Sequence, residues 1–264
     1  MGATEAVRAW RPAAAGIAEV LHARFTEHAY PVHTHDTWTL LIIDDGAVVY
    51  DLDRGHHDAL GPQVTLLPPH VPHDGRAATS RGFRKRVLYL DGAVLGADLI
   101  GSAVDAPSVR DPLLRRRLEA LHDVLARPGD TFEADSRFSF VRERLIGHLR
   151  SHVDRRRPAV SAPLAARLRE LLDARVVEGV SLREAATVLG AQPPHLVRSF
   201  TAAYGLPPHA YLTGRRIDLA RRLLVEGRSA AHAATDAGFH DQSHLTRHFR
   251  RYLGTTPGRF ARRA

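Results

Sequence analysis

The chain of 264 residues contains no cysteine, which rules out a disulfide framework and any thiolate metal site. Long apolar runs are missing too: nothing approaches the ~20 residues that a membrane-spanning helix needs. The opening stretch MGATEAVRAWRPAAAG lacks the apolar segment of a secretory leader. These absences lead to the expectation of a cytoplasmic protein with no membrane partner. Lysine is scarce, and nearly all the positive charge is arginine. Base composition of a genome produces that as readily as selection for guanidinium chemistry, so it discriminates nothing. Acidic residues run short in only one part of the chain. Residues 1–157 carry 21 basic and 21 acidic side chains, whereas residues 158–264 carry 16 and 8, so the whole formal excess of +8 lies C-terminally. A basic excess confined to one half is the electrostatic footprint of a nucleic-acid binder. The length exceeds what one typical core requires and predicts two domains.

The strongest positive signal is a pattern that occurs twice. Near the C-terminus, an alanine-rich helix over Ala230–Asp236 leads through Gly238 to an amphipathic helix over Gln242–Tyr252. Leu245, Phe249 and Tyr252 fall at i, i+4 and i+7 on one face. Gln242, Ser243, His244, Arg247, Arg250 and Arg251 cover the rest. Two short helices joined by a tight glycine turn make a helix-turn-helix, and the polar groups on the second helix are those that bond base edges and phosphates. Upstream, Ala185, Ala186, Thr187 and Gly190 return as Ala233, Ala234, Thr235 and Gly238 at an offset of 48. Leu196, Arg198, Phe200, Gly205 and Pro208 return as Leu245, Arg247, Phe249, Gly254 and Pro257 at an offset of 49. One supersecondary unit is therefore used twice. A long helix over Pro208–Glu226 joins the copies and holds them at a fixed spacing. Two recognition helices then enter successive major grooves ~34 Å apart on one face of DNA.

From about Pro163 to Arg263 the chain resembles the DNA-binding domain of the AraC/XylS family of transcriptional regulators. Ala234, Gly238, Phe239, Ser243, Leu245, Arg247, Phe249, Gly254, Pro257 and Phe260 fall where the family signature expects them. The resemblance implies a seven-helix domain that binds promoter DNA through two helix-turn-helix units. By motif match the base-facing residues are Gln242, Ser243, His244 and Arg247 in the second unit, with Arg250 and Arg251 beside them. In the first unit they are Pro194, His195, Val197 and Arg198. Pro193-Pro194 departs from the family pattern. Proline is tolerated in a first helical turn, but Pro194 and Val197 offer no hydrogen bond to a base, so the first unit is expected to read sequence weakly. The helices read as Leu164–Val177, Leu182–Leu189, Pro193–Tyr204, Pro208–Glu226, Ala230–Asp236, Gln242–Tyr252 and a short one from Pro257. Ser181 and Glu184 form a capping box. Arg215, Arg216, Arg221 and Arg222 on the connecting helix are expected to reach phosphates.

The N-terminal part reads as short strands: Trp38–Ile43, Ala47–Leu52, Val64–Leu67 and Arg84–Leu90. Asp44-Asp45-Gly46 predicts a hairpin; Asp53-Arg54-Gly55 and Gly61-Pro62 mark turns. Strands broken by turns predict a small antiparallel barrel or sandwich. HTHD, the Gly46 hairpin and GPQVTLLPPHVPHDG resemble the cupin-like sensor barrel of many AraC-type regulators, whose interior would hold a small effector. His33 and His35 share one face of a strand, and His70 and His73 follow another strand. Metal-binding cupins set two such histidines, a nearby glutamate and a later histidine around an ion. His33, His35 and His73 can fill three of those places, but Trp38, Thr39 and Leu40 stand where the glutamate belongs. Three readings stay open for these histidines: lining of an effector pocket, a metal site with an open position, or purely structural rings. The expected pocket residues are His33, His35, Trp38, Tyr50, His73 and Tyr89, with no cofactor. Arg81, Arg84, Lys85 and Arg86 form a basic cluster that either holds an acidic effector or guards a solvated sheet edge.

Between the halves, Leu113, Leu114, Leu118, Leu121, His122 and Leu125 define one helix, and Phe138, Val141, Leu145, Ile146 and Leu149 another, separated by Arg127-Pro128-Gly129-Asp130. These helices either form a homodimer interface or pack on their own barrel. Asp154 to Pro163 reads as the linker. The expected division is a sensor barrel over 1–104, a helical connector over 105–157 and a DNA-binding domain over 158–264. The resulting expectation is a sequence-specific DNA-binding transcription regulator, not an enzyme, modulated by a small molecule and working with promoter DNA and RNA polymerase. The alternative is a metal-dependent cupin enzyme with an accessory DNA-binding domain.

Overall fold

A computed structural model of the chain describes residues 5–127, 131–153 and 163–261. The expected linker and the Pro128-Gly129-Asp130 break lie outside those residues. Nine antiparallel strands come first: β1 (Ala6–Trp10), β2 (Ile17–Phe25), β3 (Ala29–His33), β4 (Trp38–Leu52), β5 (Gly55–Leu60), β6 (Val64–Leu67), β7 (His73–Ala77), β8 (Phe83–Leu90) and, further on, β9 (Ser108–Val109). One layer runs β1-β2-β8-β4-β6-β9; β3, β7 and β5 build the other with the second half of β4. This is the expected antiparallel barrel-like architecture, with β1, β2, β3, β5, β7 and β9 added to the strands read from the sequence.

The hairpin expected at Asp44-Asp45-Gly46 does not form. β4 runs on for 15 residues, pairing with β6 and β8 through its first half and with β5 and β7 through its second. The two aspartates and the glycine make a corner, with a register shift between Ile43 and Asp45. Gly46 sits at φ +73°, and a Cβ there would lie 2.1 Å from the carbonyl oxygen of Gly82, so only glycine turns this corner. A turn signal and a sheet-switching bulge demand the same residues, which is why sequence could not separate them. The hairpin falls one step later, where Leu52 pairs with Gly55 around Asp53 at φ +55°.

Helices α1 (Ile100–Asp105), α2 (Pro112–Leu125) and α3 (Thr131–Val153) cover the outer face of the larger layer. Leu114, Leu118, Leu121, Phe138, Val141, Leu145 and Leu149 share a core with Trp38, Leu40, Ile42, Leu88 and Leu90. The inward faces of the connector helices are thus spent on their own barrel. Asp111 caps α2 through the amides of Leu113 and Leu114 and also binds Arg144 and His148 of α3.

The remaining helices are α4 (Pro163–Ala174), α5 (Leu182–Leu189), α6 (Pro193–Tyr204), α7 (Pro208–Val225), α8 (Ala230–Asp236), α9 (Gln242–Leu253) and α10 (Pro257–Ala261). These are the seven helices expected. α4–α6 and the start of α7 close around Leu168, Leu196, Phe200 and Tyr211. The rest of α7 with α8–α10 forms a second core around Ile217, Leu224, Leu245, Phe249 and Phe260, continuous with the barrel's inner residues Phe25, Phe83 and Tyr89. α7 belongs to both cores, which is what makes it a rigid spacer between the two helix-turn-helix units. Gly238 in the second turn sits at φ +78°, where a Cβ would lie 2.3 Å from the carbonyl oxygen of Val177.

Candidate functional site

Strand alternation assembles a chamber inside the barrel. Trp38, Leu40 and Ile42 of β4 face the helices, so Thr39, Leu41 and Ile43 face inward; Lys85 and Tyr89 of β8 do likewise. His33 at the end of β3, His35 just beyond it and His73 opening β7 enter the same chamber, a concavity of about 580 Å³ when the solvent space at its open side is included. All three rings are buried. Their centroids lie 4.7 Å (His33–His35), 4.5 Å (His33–His73) and 5.1 Å (His35–His73) apart. Burial, then the neighbouring rings, hold His33 well below the ordinary imidazole range and bring His73 down to about 3. Tyr50 and Tyr89 line the chamber as expected. Trp38 does not: its indole is packed against the helical layer and donates to the Gly92 carbonyl at 3.3 Å. On β4 before its register shift, an even-numbered place faces away from the chamber, and the pattern of that stretch, apolar on both faces, gave no means of choosing. His70, at φ +64°, also stays outside.

The basic run at 81–86 is split by the same alternation. β8 is no edge, since β2 and β4 flank it on both sides. Arg86 binds Asp44 on the outer face, with Nη2 at 2.9 Å from Oδ1, and Arg115 of α2 joins the same carboxylate at 3.3 Å. Lys85 points inward, and no carboxylate pairs with it among the described residues. Its Nζ lies 4.2 Å from the centre of the Tyr30 ring, and burial, then the charge of Arg221, bring its amine down to about 7.

α9 contributes Leu253 to the chamber wall, and α7 packs on the barrel beside it, bonded to the lining residues His35 and Tyr89. Arg221 donates to Glu19 Oε1 at 2.7 Å and to Asp218 Oδ1 at 3.4 Å, and its guanidinium lies 4.0 Å from the centre of the Tyr89 ring. Asp218 Oδ1 in turn accepts from Nδ1 of His35 at 2.9 Å. Arg215 and Arg222 grip Asp36 at 3.0 and 2.6 Å. Burial works to raise the Asp36 pKa, but the two guanidiniums outweigh it and hold the carboxyl well below the usual range. Arg216 donates to the carbonyls of Val176 and Val177. The four arginines of α7 expected to reach phosphates are therefore consumed inside the protein. Counting charges along a helix cannot show this, because, Asp218 apart, the acids that hold Arg215, Arg221 and Arg222 lie roughly 40 to 200 residues away in sequence.

The recognition helices present a different surface. α9 is capped by Asp241, whose Oδ1 accepts from the His244 amide at 2.7 Å, and buries Leu245, Phe249, Tyr252 and Leu253. Gln242, Ser243, Arg247, Arg250 and Arg251 are exposed. The His244 ring is half-buried, packed edge-on against Phe239 and against His248, a residue that the sequence reading passed over. On α6, Pro193 stands at the first helical position, and Pro194, His195 and Arg198 are exposed while Val197 is half-buried. No ion pair engages Arg198, Arg247, Arg250 or Arg251 among the described residues.

Comparison with known proteins follows the same division. Residues 16–139 match the family model described as the AraC-like ligand binding domain, and residues 185–263 match one described as a helix-turn-helix domain. The HTH-type transcriptional regulator YbfI of Bacillus subtilis is 26% identical over 225 residues, covering 82% of this chain and 81% of that protein. ToxT from Vibrio cholerae O395 shares the fold at a TM-score of 0.63 and 10% identity, over 98% of this chain and 97% of ToxT. A ToxT structure with an unsaturated fatty acid bound aligns at a TM-score of 0.58 and 12% identity, over 97% and 95% of the two chains.

Proposed function

The chain belongs to the AraC/XylS family of transcriptional regulators, and from there we propose how its two halves divide the work. It is a transcription regulator with a DNA-binding helix-turn-helix domain and an N-terminal ligand-binding domain. In our reading the division runs 1–104 for the sensor, 105–157 for the helical connector and 158–264 for the DNA reader. Base readout rests on Gln242, Ser243, His244 and Arg247, with Arg250 and Arg251 on phosphates. Pro194, His195, Val197 and Arg198 make a weaker second set. The observation that carries this is the contrast in arginine use: those of α6 and α9 are exposed and have no ion pair among the described residues, while those of α7 are all engaged internally.

The effector enters the chamber against His33, His35, Tyr50, His73 and Tyr89. An inward lysine that pairs with no carboxylate among the described residues, in a chamber whose one lining acid is Asp74, favours a compact acid with an apolar body. A carboxylate on Lys85 would supply the missing counter-charge, and the fatty acid held by the distantly similar ToxT is of that class. Because Arg221, Asp218 and His35 join the chamber to α7, a ligand there acts directly on the seating of the DNA reader. We read the protein as a non-enzymatic cytoplasmic regulator. Trp38, Thr39 and Leu40 stand where the cupin acid belongs, and the chain's relatives are named as regulators. No helix of the described residues is long and apolar enough to cross a membrane. Homodimerisation through the outer face of α3, where Phe132 and Phe140 are exposed, and contact with RNA polymerase complete the proposal.

The test is Arg247→Ala in a binding assay on cognate and random duplexes at fixed salt. The expected loss on the cognate site is about 1–3 kcal/mol with relaxed specificity at one position. Equal losses on both duplexes would contradict base readout by this residue.

A further inference from the structure

The internal repeat of the DNA-reading half has a counterpart in the way the barrel meets it. Gly205 and Gly254, equivalent positions 49 residues apart, end α6 and α9 in the left-handed region, at φ +70° and +65°. Both touch the barrel. A Cβ on Gly205 would lie 3.3 Å from Cγ of Pro72, between β6 and β7. A Cβ on Gly254 would lie 2.7 Å from the Phe25 ring and 2.9 Å from the ring of His28, in the connection from β2 to β3.

Each contact brings a hydrogen-bond donor to the end of a recognition helix, where the last carbonyls have no partner within the helix. On α6 the Thr201 carbonyl takes the Gly205 amide at 2.9 Å, and the next carbonyl, that of Ala202, accepts from Nη2 of Arg54 at 3.1 Å. Arg54 also sets a positive charge at the negative end of the helix dipole. Its turn, between β4 and β5, is tied to Pro72, whose carbonyl accepts the Asp53 amide at 2.9 Å. Hairpin and proline therefore act as one grip. On α9 the Arg250 carbonyl takes the Gly254 amide at 2.9 Å, and the backbone of Tyr252 serves the His28 ring as acceptor. Burial, then the charge of Lys85, bring that ring down to about 4, so it donates as a neutral imidazole. The first turns of both helices, with Pro194 and His195 on one and Gln242 and Ser243 on the other, are exposed. Recognition helices read bases chiefly from their N-terminal residues. The barrel thus holds the two readers by the ends remote from the bases.

We propose that Arg54 and His28 are positioning residues through which the barrel fixes the relative orientation of the two recognition helices, and with it the spacing of DNA elements that the protein accepts. A single long helix can bend along its length. α7 by itself therefore sets the separation of the readers more firmly than their angle. Two further attachments to one rigid sheet close the triangle. The inference goes beyond the effector reading and rests only on the assignment of α6 and α9 as DNA readers.

The test uses the full-length protein. The chain has no cysteine, so His195→Cys and Arg250→Cys supply two spin-label sites, one on each recognition helix. Electron–electron distance measurements without DNA are expected to give one narrow distribution, wider in Arg54→Ala and wider still when His28→Ala is added. Arg54 is exposed, so its variant decides the matter should His28→Ala fail to fold. The second measurement uses a duplex that the unlabelled wild-type protein selects from a randomised library, and copies of it with base pairs inserted between its two elements. Arg54→Ala should bind the selected duplex about 3–10-fold more weakly and the respaced copies almost unchanged, so that the spacing preference shrinks by that factor. A general loss of stability would weaken every duplex alike. An unchanged distance distribution in the double variant overturns the positioning role, and equal losses on all duplexes overturn its link to spacing. Selection of no sequence by the wild-type protein overturns the DNA-reader assignment instead, a failure distinct from this one because the distance measurement needs no DNA.

Discussion

Replacing Arg221 with methionine isolates the coupling between the halves. The variant keeps most of the stem volume but strips the counter-charge from Glu19, at 2.7 Å, and from Asp218, at 3.4 Å, where the side chains of all three are only 4–6% exposed. Breaking a buried pair from one side costs about 3–5 kcal/mol, because the remaining charge stays desolvated. Loss of the guanidinium from the face of Tyr89 adds about 0.5–2 kcal/mol. The chain has an escape that an ordinary core residue lacks: α7 can lift off the barrel and hydrate Glu19. The measured loss is therefore the smaller of the buried-charge penalty and the free energy of docking. Hydrogen exchange should report it as faster exchange of the α7 amides from Ile217 to Leu224, while the barrel strands stay protected. The pH dependence carries a sign. Burial raises the Glu19 pKa and Arg221 opposes that shift, so removing the arginine raises it further. The folded form then holds a proton that the unfolded form has released. The variant's deficit should accordingly shrink as pH falls toward the ordinary carboxylate range and grow as pH rises. Combining Glu19→Gln with Arg221→Met should recover part of the loss. Exchange in α7 and denaturation midpoints that match the wild type at neutral pH would refute the coupling.

Other outcomes follow from the same geometry. Lys85→Met should stabilise the protein most below pH about 7, with the gain vanishing as pH rises toward 10.5, because over that window only the unfolded wild-type chain holds the extra proton; melting curves across pH check it. The same variant should lose the response to an acidic effector. Gly238→Ala combines a left-handed backbone with a Cβ 2.3 Å from the Val177 carbonyl oxygen, and should cost about 2 kcal/mol or more in chemical denaturation.

Much of the C-terminal half was legible because its signals are local. Gly190 at φ +63° ends α5 and Gly254 at φ +65° ends α9, each at the place the repeat assigns it. The Ser181–Glu184 capping box is present in full, with bonds of 3.1 and 2.8 Å. Helical periodicity is carried by a few consecutive turns, so hydrophobic spacing placed all seven helices. The barrel was read less completely. Strand β7, HDGRA, carries no apolar alternation, and β4 bends where its residues spell a turn.

By itself the sequence determined the duplicated reader, the helix that spaces its copies, and the asymmetry of charge, since the helices follow from residues within one or two turns of one another and the repeat and the charge balance are read directly along the chain. Tertiary structure alone decided which face of β4 and β8 looks inward, sending Trp38 out and Lys85 in. It also decided that the arginines of α7 are internal ties to Glu19, Asp36 and Asp218 rather than free cations. Charge is written along the chain, but its partner and its solvent exposure are set only when distant segments close over it, and these two facts distinguish a DNA contact from an interdomain clasp.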